Sequence, residues 1–230
     1  MNKKPDLENF YNRDYLQKIS RRGYYLEKIN YVTSILSSMQ RKDLKILDIA
    51  CNDGELSEVY SKYGEVVGID ISKKALKKCK QRGIKCFCAR IEEMPKKYLD
   101  HFDMVIAGDI IEHVFDTDIF LASVKAVLKK GGILLLTTPN LVSLPRRAMA
   151  LLGINPFIEF SLSLPFKEYN VGHIRYYTKA NLEQQLKTQG FKKITVVGDR
   201  INLFPSIYIP HVLAKFLPTI SRNLMVFAEK

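Results

Sequence analysis

The sequence predicts an α/β fold in which helices flank one mostly parallel β-sheet. Short apolar runs, typical of buried strands, alternate with helical segments along the 230 residues. Hydrophobic residues make up 47% of the composition, enough for one sizeable core. We see neither internal repeats nor a low-complexity linker. We therefore expect a single domain over residues 1–230.

Five strands and the helices between them account for the first 139 residues. Strands are predicted at 45–50, 66–70, 85–89, 103–107 and 133–138. An N-terminal segment, residues 1–43, is expected to be largely helical and amphipathic. Further helices are predicted at 55–63, after the N-cap residue Ser72, and at 116–129, where Gly131 and Gly132 give a C-cap signal. The nearly all-apolar fourth strand is typical of the centre of a sheet.

Regular patterning lapses over residues 140–177, where five prolines and glycines are scattered among apolar and aromatic side chains. A connection of this length in a compact domain is usually functional, so we predict a lid or substrate insertion after strand five. Thr178 is a good N-cap for a helix over 179–189. Strands at 192–197 and 224–228 complete seven, which indicates one sheet with a lid and not two domains.

The segment from Leu44 to Ser72 has the layout of a nucleotide site. One apolar strand ends at Asp48 and breaks into a tight turn over residues 50–54, and the next ends at Asp70. Strand ends of this kind meet at the carboxyl edge of a parallel sheet, where the second acid accepts from ribose hydroxyls. The two acids are separated by close to the roughly 20 residues that such units show.

The residues of the turn indicate which nucleotide. A dinucleotide site needs G-x-G-x-x-G, whereas only Gly54 is a glycine here and Asp53 would repel a pyrophosphate. Acids at 48, 53 and 70 suit a cationic ligand that carries hydroxyls and no phosphate. S-adenosylmethionine, a sulfonium with an amino group and a ribose, fits that description. The alternative is an ordinary strand–turn–helix unit of another α/β protein.

Six segments in order resemble motifs of the class I S-adenosylmethionine-dependent methyltransferases, specifically the small-molecule branch. They are ILDIACNDG, VVGIDIS, CFCARIEEMP, FDMVIAGDIIEHV, GGILLLTTPN and HIRYYTKANLEQQLKTQGF. The resemblance covers about residues 44–230. It implies a Rossmann-like seven-stranded sheet and an enzyme that uses S-adenosylmethionine.

The resemblance also implies cofactor contacts residue by residue. They fall at Asp48, Ala50, Asn52, Gly54, Asp70, Ile71, Arg90, Ile91, Asp109 and Ile110. The first four would hold the methionine end, Asp70 the ribose diol and Ile71 the adenine face. Residues 90 and 91 would lie beside the adenine edge, and 109 and 110 under the sulfonium.

Two departures from the family pattern bear on these contacts. Glycine is usual at Ala50 and Asn52, although asparagine tolerates the left-handed backbone better than most residues. An acid is usual at Arg90, and an arginine side chain cannot accept from the adenine amino group. Adenine contact is therefore expected to fall to backbone atoms.

Histidines supply the candidate chemistry. Methyl transfer to a hydroxyl is helped by a general base, and His113 after strand four and His173 at the close of the lid are the candidates. Each has a structural alternative: His113 could buttress its loop, and His173 could pack the lid. Arg146, Arg175 and Tyr176 are candidate substrate contacts.

The acceptor is expected to be a small molecule, with oxygen the methylated atom. The sequence lacks motifs for amino-methylation of bases or C5 methylation of pyrimidines. The apolar lid and residues 201–217 suit a lipid-, quinone- or glycan-type acceptor and peripheral contact with a membrane; alternatively they only cover the sheet. The oligomeric state stays open.

Net charge and cysteine spacing limit the alternative functions and the expected cellular setting. A net charge of +12, with many lysines over residues 73–97, keeps RNA methylation open but not favoured, because a solvated lysine-rich face is the better explanation of that charge. A non-catalytic cofactor-binding scaffold is the other alternative. The four cysteines have no metal-site or disulfide spacing, and we see no signal peptide, so a cytoplasmic setting is expected.

Overall fold

The computed structural model describes residues 21–157, 172–204 and 207–230. Within them, seven strands form one sheet in the order β3-β2-β1-β4-β5-β9-β6, and β7 and β8 form a separate hairpin. The strands are β1 Leu44–Ile49, β2 Gly64–Asp70, β3 Lys85–Cys88, β4 Phe102–Gly108, β5 Leu128–Pro139, β6 Lys192–Gly198, β7 Ile201–Phe204, β8 Ile207–Ile209 and β9 Asn223–Glu229. The predicted seven-stranded sheet is confirmed.

All neighbouring pairs from β3 to β5 are parallel, and β9 pairs antiparallel with both β5 and β6. Strands β1 to β6 therefore all end at one edge, which we call the carboxyl edge. The crossover between β1 and β4 in this order is where ligands bind in open α/β sheets.

Helices cover both faces of the sheet. They are α1 Arg21–Ser38, α2 Glu55–Tyr60, α3 Lys73–Gln81, α4 Thr117–Val127, α5 Leu144–Leu151, α6 Lys179–Thr188 and α7 His211–Ala214. The predicted N-caps of α3 and α6 are confirmed: Ser72 Oγ accepts from the Ala75 N–H, and Thr178 Oγ1 from the Asn181 N–H. Such caps stabilise a helix by about 1 kcal/mol each.

The core divides into two layers because strand side chains alternate between the faces. One layer packs Leu47 and Val105 of the sheet against Leu121 of α4 and Leu182 of α6. The other layer includes Leu36 of α1 and, on the sheet and α3, Ile46, Met104 and Leu76. The central strands are buried on both sides, as the apolar pattern of the fourth strand predicted.

One local prediction was wrong. Helix α4 ends at Val127 rather than at Lys129, without the predicted glycine C-cap, and the chain passes directly into β5. The two glycines lie instead where the β4–β5 register shifts. Gly131 adopts the left-handed conformation there, with φ 74°, and a Cβ on Gly132 would lie 2.9 Å from the Lys129 carbonyl oxygen. The helix predicted at 55–63 is present: it is α-helical to Tyr60 and continues to Tyr63 as a 3₁₀ turn. The β7–β8 hairpin was not predicted.

Parts of the predicted terminal and lid segments lie outside the described residues. The N-terminal helical prediction holds where α1 is described, and residues 1–20 lie outside that part. The predicted insertion over 140–177 contains α5, and its residues 158–171 also lie outside. Among the helices that are described, none combines the length and apolarity needed to cross a membrane.

Candidate cofactor and acceptor site

The turn after β1 adopts three left-handed backbone conformations within five residues. Ala50 has φ 58°, Asn52 φ 52° and Gly54 φ 78°. The turn is closed by a Gly54 N–H donating to the Cys51 carbonyl at 3.0 Å. The left-handed conformation costs an alanine about 1–2 kcal/mol, and such strain persists where the surroundings fix it. Ala50 and Asn52, where the family usually has glycine, thus both adopt the left-handed conformation that glycine would adopt without strain.

Gly54 is the point where the turn packs against α3. A Cβ at this position would lie 2.8 Å from Cys79 Sγ and 3.1 Å from Cys79 Cα. Only glycine fits such a close approach while holding a positive φ. The contact fixes how far the turn stands from the helix behind it.

Asp48 is buried beneath the turn and accepts a hydrogen bond from Ser57 Oγ at 2.5 Å. Burial raises the pKa of Asp48 to about 7, with the nearby Asp70 charge adding to the rise and the Ser57 bond opposing it. A cation placed beside this carboxyl would restore its ionised form. Ser57 was missed by the sequence reasoning, because a serine in the first turn of a helix carries no signal of its partner.

Asp70 ties the end of β2 to the turn after β1. Its Oδ2 accepts from the Asn52 N–H at 2.9 Å, and its Oδ1 from the Ser72 N–H at 2.7 Å. Burial raises the pKa of Asp70, although these backbone bonds favour the charged form. Each carboxylate oxygen can accept a second bond, so the group could still take ribose hydroxyls.

The predicted adenine contacts lie at the ends of β2 and β3. Ile71 is half-buried and Arg90 exposed, and the Arg90 N–H donates to Glu93 Oε2 at 3.0 Å. Ile91 is 3% exposed and packs in the core, so only its backbone could line a site. Adenine contact through backbone atoms stays a prediction.

Asp109, directly after β4, is held by the neighbouring strand. It too is left-handed, with φ 51°, and its N–H donates to the Thr137 carbonyl at 3.0 Å. Thr137 Oγ1 donates to Asp109 Oδ1 at 2.9 Å. This clasp between β4 and β5 places the half-buried Ile110 next along the carboxyl edge. Thr137 was another partner that the sequence reasoning missed.

The structure brings the two candidate bases together although they are 60 positions apart. The rings of His113 and His173 lie 4.8 Å apart between centroids. His173 Nε2 is 3.9 Å from Glu112 Oε1, and Thr138 Oγ1 donates to Glu112 Oε2 at 3.0 Å. The backbone N–H groups of Ile174 and Arg175 donate to the Glu112 carbonyl at 2.9 and 3.1 Å, clamping the end of the insertion onto the turn after β4.

Both imidazoles are held in the neutral form. Burial lowers the pKa of His113, with the hydrogen bond to the Gly172 carbonyl opposing. Burial lowers the pKa of His173 to about 3, and the repulsion that the two rings would feel if both were protonated adds to the shift. His113 Nδ1 lies 3.2 Å from the Gly172 carbonyl oxygen, and a carbonyl can only accept, so Nδ1 carries the proton. That tautomer leaves the lone pair on Nε2, which is what a general base requires.

The same cluster could hold a cation. Glu112, His113 and His173 each offer one ligand atom, and these atoms lie within 4.8 Å of one another. A carboxylate with two neutral imidazoles is a donor set that several divalent transition metals accept. The sequence reasoning considered only cysteine spacing and did not indicate this grouping.

The candidate substrate residues divide into two groups. The Arg146 guanidinium lies 5.8 Å from the centroid of the Tyr176 ring, which is itself 6.4 Å from the His173 ring. Phe157 packs against Tyr176 at 4.7 Å. Arg175 differs, because its guanidinium donates to the carbonyls of Val114 and Phe115 and braces the loop after β4. Arg146 and Tyr176 thus border the histidine pair, and Arg175 shapes its approach.

Sequence comparison identifies the domain. A family model described as a methyltransferase domain matches residues 40–171. The human mitochondrial ubiquinone biosynthesis O-methyltransferase is 32% identical over 171 residues, which cover 70% of this chain and 45% of the relative. The corresponding protein of Bradyrhizobium sp. (strain ORS 278) is 38% identical over 104 residues, covering 42% of this chain and 40% of the relative. The chain thus spans less than half the length of these curated relatives.

Solved structures share the fold at low sequence identity. An S-adenosylmethionine-dependent methyltransferase from Thermotoga maritima superimposes with a TM-score of 0.67 at 16% identity, covering 97% of this chain and 99% of that one. One from Archaeoglobus fulgidus gives a TM-score of 0.62 at 16% identity, covering 88% and 94%. With the strand order, the matches confirm the fold and the family expected from the sequence: the chain belongs to the methyltransferase-domain family.

Proposed function

We propose that this chain transfers the methyl group of S-adenosylmethionine to a hydroxyl oxygen of a small quinone-type acceptor. The observation that carries the proposal is the neutral His113–His173 pair beside Asp109 at the carboxyl edge. The curated relatives named as ubiquinone biosynthesis O-methyltransferases support the acceptor class.

The turn after β1 fits the methionine end of the cofactor. Asn52 Oδ1 is buried and has no hydrogen-bond partner among the described residues. An unpartnered buried oxygen costs about 1–3 kcal/mol, which a bound ammonium group would relieve by donating to it. Asp48, whose pKa lies near 7, would ionise beside the same group. In our proposal Asp70 holds the ribose, and Ile71 and the backbone at Arg90 border the adenine.

His113 is the proposed general base. When bound, S-adenosylmethionine supplies an electrophilic methyl carbon, so the protein mainly has to align an acceptor oxygen with it and remove a proton. His113 Nε2 would take the hydroxyl proton as the new O–C bond forms and the S–C bond breaks. His173, with a pKa of about 3, is a poor proton acceptor at neutral pH. We assign it instead to orienting the acceptor and the insertion.

The acceptor would lie against aromatic groups. Tyr176 and Phe157 present adjacent rings next to His173, and flat rings stack on one another with gains of about 0.5–1.5 kcal/mol beyond burial. Arg146 stands over Tyr176 and would meet an anionic substituent of the acceptor. RNA methylation remains the alternative because exposed lysines line α3, and it requires affinity that falls steeply with salt.

The test combines calorimetric titration with S-adenosylmethionine and an assay of S-adenosylhomocysteine release with a catechol as acceptor. Asp70→Ala should abolish measurable cofactor binding, because the ribose hydroxyls lose their acceptor and the Asn52 N–H of the turn loses its hydrogen bond. Asp43→Ala, an exposed acid paired with Arg41, is the matched control and should bind as wild type. A wild-type protein that binds no cofactor would contradict the proposal. One that binds the cofactor and never releases the product with any hydroxylated acceptor would favour the scaffold alternative.

A further inference from the structure

Three cysteines meet beneath the turn after β1, and we call them the thiol cluster. Cys51 belongs to the turn, Cys79 to α3 and Cys86 to β3, and all three are buried in the same core layer. The Cys79 side chain is in hydrogen-bond contact with the side chains of both Cys51 and Cys86. Sequence spacing does not indicate this grouping, because it depends on how the turn, α3 and β3 pack. The cluster joins the turn to the helix behind it.

Two glycines make room for the sulfur atoms of the cluster. A Cβ on Gly54 would lie 2.8 Å from Cys79 Sγ, and a Cβ on Gly68 of β2 would lie 2.7 Å from Cys51 Sγ. A glycine in a strand often marks such a close approach. The backbone therefore closes around the thiols of Cys51 and Cys79, and the two sulfur atoms have little freedom to turn away from each other.

The thiols of the cluster differ in acidity. The hydrogen bond with Cys51 lowers the pKa of Cys79, with burial opposing and Cys86 adding to the fall. The same hydrogen bond, followed by burial, raises the pKa of Cys51. Because the thiolate is the reactive form of cysteine, Cys79 is the better nucleophile of the two. Cys86 is engaged elsewhere as well, since its thiol donates to the Leu76 carbonyl at 3.7 Å. Cys51 is thus the partner that faces Cys79 from the turn.

We propose that Cys51 and Cys79 form a reversible disulfide through which a hydroperoxide switches off the cofactor turn. One thiolate of the pair attacks the O–O bond, which gives a sulfenic acid and releases water or an alcohol. The second thiol attacks the sulfenic sulfur, so that the S–S bond forms and water leaves. A dithiol reductant restores both thiols and becomes a disulfide itself. Cys51 is 6% exposed and Cys79 fully buried, so a small oxidant reaches the pair from the turn.

The disulfide would displace the turn, because an S–S bond of about 2.0 Å is shorter than a hydrogen-bond contact between thiols. The Cys51 N–H donates to the Ile69 carbonyl at 3.0 Å, and the Cys51 carbonyl accepts from the Gly54 N–H at 3.0 Å. The next residue, Asn52, donates its N–H to Asp70 Oδ2 at 2.9 Å. Drawing Cys51 toward α3 disturbs these bonds and with them the geometry of the turn. The resulting loss of cofactor affinity rests on the proposed function, whereas disulfide formation does not.

The test compares the full chain reduced with dithiothreitol and the same chain treated with hydrogen peroxide. Peptide mass spectrometry locates the disulfide, and calorimetry measures affinity for S-adenosylmethionine. Wild type should form the Cys51–Cys79 link and lose affinity roughly tenfold or more, as expected for the loss of a buried hydrogen bond, and dithiothreitol should restore it. Cys51→Ser and Cys79→Ser should each keep the affinity of their own reduced form after peroxide. Cys88→Ser is the matched control, because Cys88 is exposed outside the cluster, and it should respond as wild type.

Three results would overturn the inference while reduced wild type binds the cofactor. They are the absence of a Cys51–Cys79 link after peroxide, a link that leaves affinity unchanged, and a Cys51→Ser variant that loses affinity as strongly as wild type. A link between Cys79 and Cys86 in place of the proposed one would also show that it is wrong. Reduced wild type that binds no cofactor would instead contradict the proposed function, and the switch would then have nothing to control.

Discussion

On the cofactor side of the site, acids at the strand ends are fixed by short hydrogen bonds, whereas the acceptor side is bordered by aromatic rings and exposed apolar groups. Asp70 binds the backbone of two segments, and Asp48 binds Ser57 at 2.5 Å. Beyond the acceptor side, Leu151 and Phe216 are largely exposed. The comparison teaches that hydrogen bonds within the protein already fix the side chains on the cofactor side. On the acceptor side, apolar side chains stay exposed in the absence of a ligand.

The largest expected effect is the loss of kcat on replacing His113, which should leave cofactor affinity unchanged. His113→Gln should lower kcat roughly 10²–10⁴-fold, the contribution typical of a general base, with unchanged calorimetric affinity for S-adenosylmethionine. Because burial lowers the pKa of His113, wild-type activity should be level above about pH 6.5 and fall at lower pH as the ring gains a proton. His101→Gln, at the opposite edge, is the control. Cofactor affinity that fell together with kcat would break the distinction between the sides.

Replacing either of two left-handed glycines, Gly54 on the cofactor side and Gly153 after α5, tests how tightly each region is packed. Gly54→Ala should lower the free energy of unfolding by about 2–4 kcal/mol, since strain adds to a contact with Cys79. Gly153, after α5, has φ 70° with nothing within 4 Å of an added Cβ. Gly153→Ala should therefore cost only about 1–2 kcal/mol. Urea unfolding measures both, and equal losses would show that close packing is not what distinguishes the cofactor side.

Proton release on binding tests Asp48. With its pKa near 7, about half of this carboxyl is protonated at pH 7, and a bound ammonium group would drive the proton off. Calorimetry in buffers of different ionisation enthalpy should therefore show proton release, and affinity should fall up to about tenfold per pH unit below 7. Asp48→Asn should bind without that proton release. Because burial also raises the pKa of Asp70, release that persisted in Asp48→Asn would assign the proton to Asp70.

The raised pKa of Asp48 also predicts how the stability of the cofactor-free protein depends on pH. Its folded pKa is raised from 3.8 to about 7, so the folded state binds the proton more tightly than the unfolded chain. Its contribution to stability is therefore fully present below about pH 4 and is lost as pH rises to about 7. Asp48→Asn should flatten the stability profile over that range in thermal unfolding.

The smallest expected effect is a gain. Ala50→Gly should stabilise the protein by about 1 kcal/mol, because glycine carries no penalty at φ 58° while its extra freedom in the unfolded chain offsets part of the relief. The unfolding midpoint in urea measures this change. A loss of stability would mean that the alanine methyl group packs productively in the turn.

Sequence patterns predicted most of the sheet because each strand is a local apolar run. They also located Asp48, Asp70 and the left-handed positions, since these lie within one contiguous motif. Ser57 and Thr137 could not be found as partners, because their hydrogen bonds depend on how separate elements pack. The register of β4 against β5, which uses Gly131, is likewise a property of two strands and not of one.

The acceptor side was less predictable for the same physical reason. His113 and His173 meet only because the end of the insertion is clamped to the turn after β4. The β7–β8 hairpin arises in a proline-interrupted apolar stretch that has no clear period-two alternation. Segments whose side chains face outward lack the hydrophobic pattern on which such predictions rest.

The position of β9 has a consequence for how the molecule assembles. This strand, at residues 223–229, lies between β5 and β6, although every other strand precedes it in the chain. During synthesis β6, the edge strand beside β9, can join the sheet only after β9 has left the ribosome. Pairings that are so distant in sequence slow folding. Strand β6 and the segments packed beside it therefore find their place last, on a sheet from β3 to β5 that can already have formed.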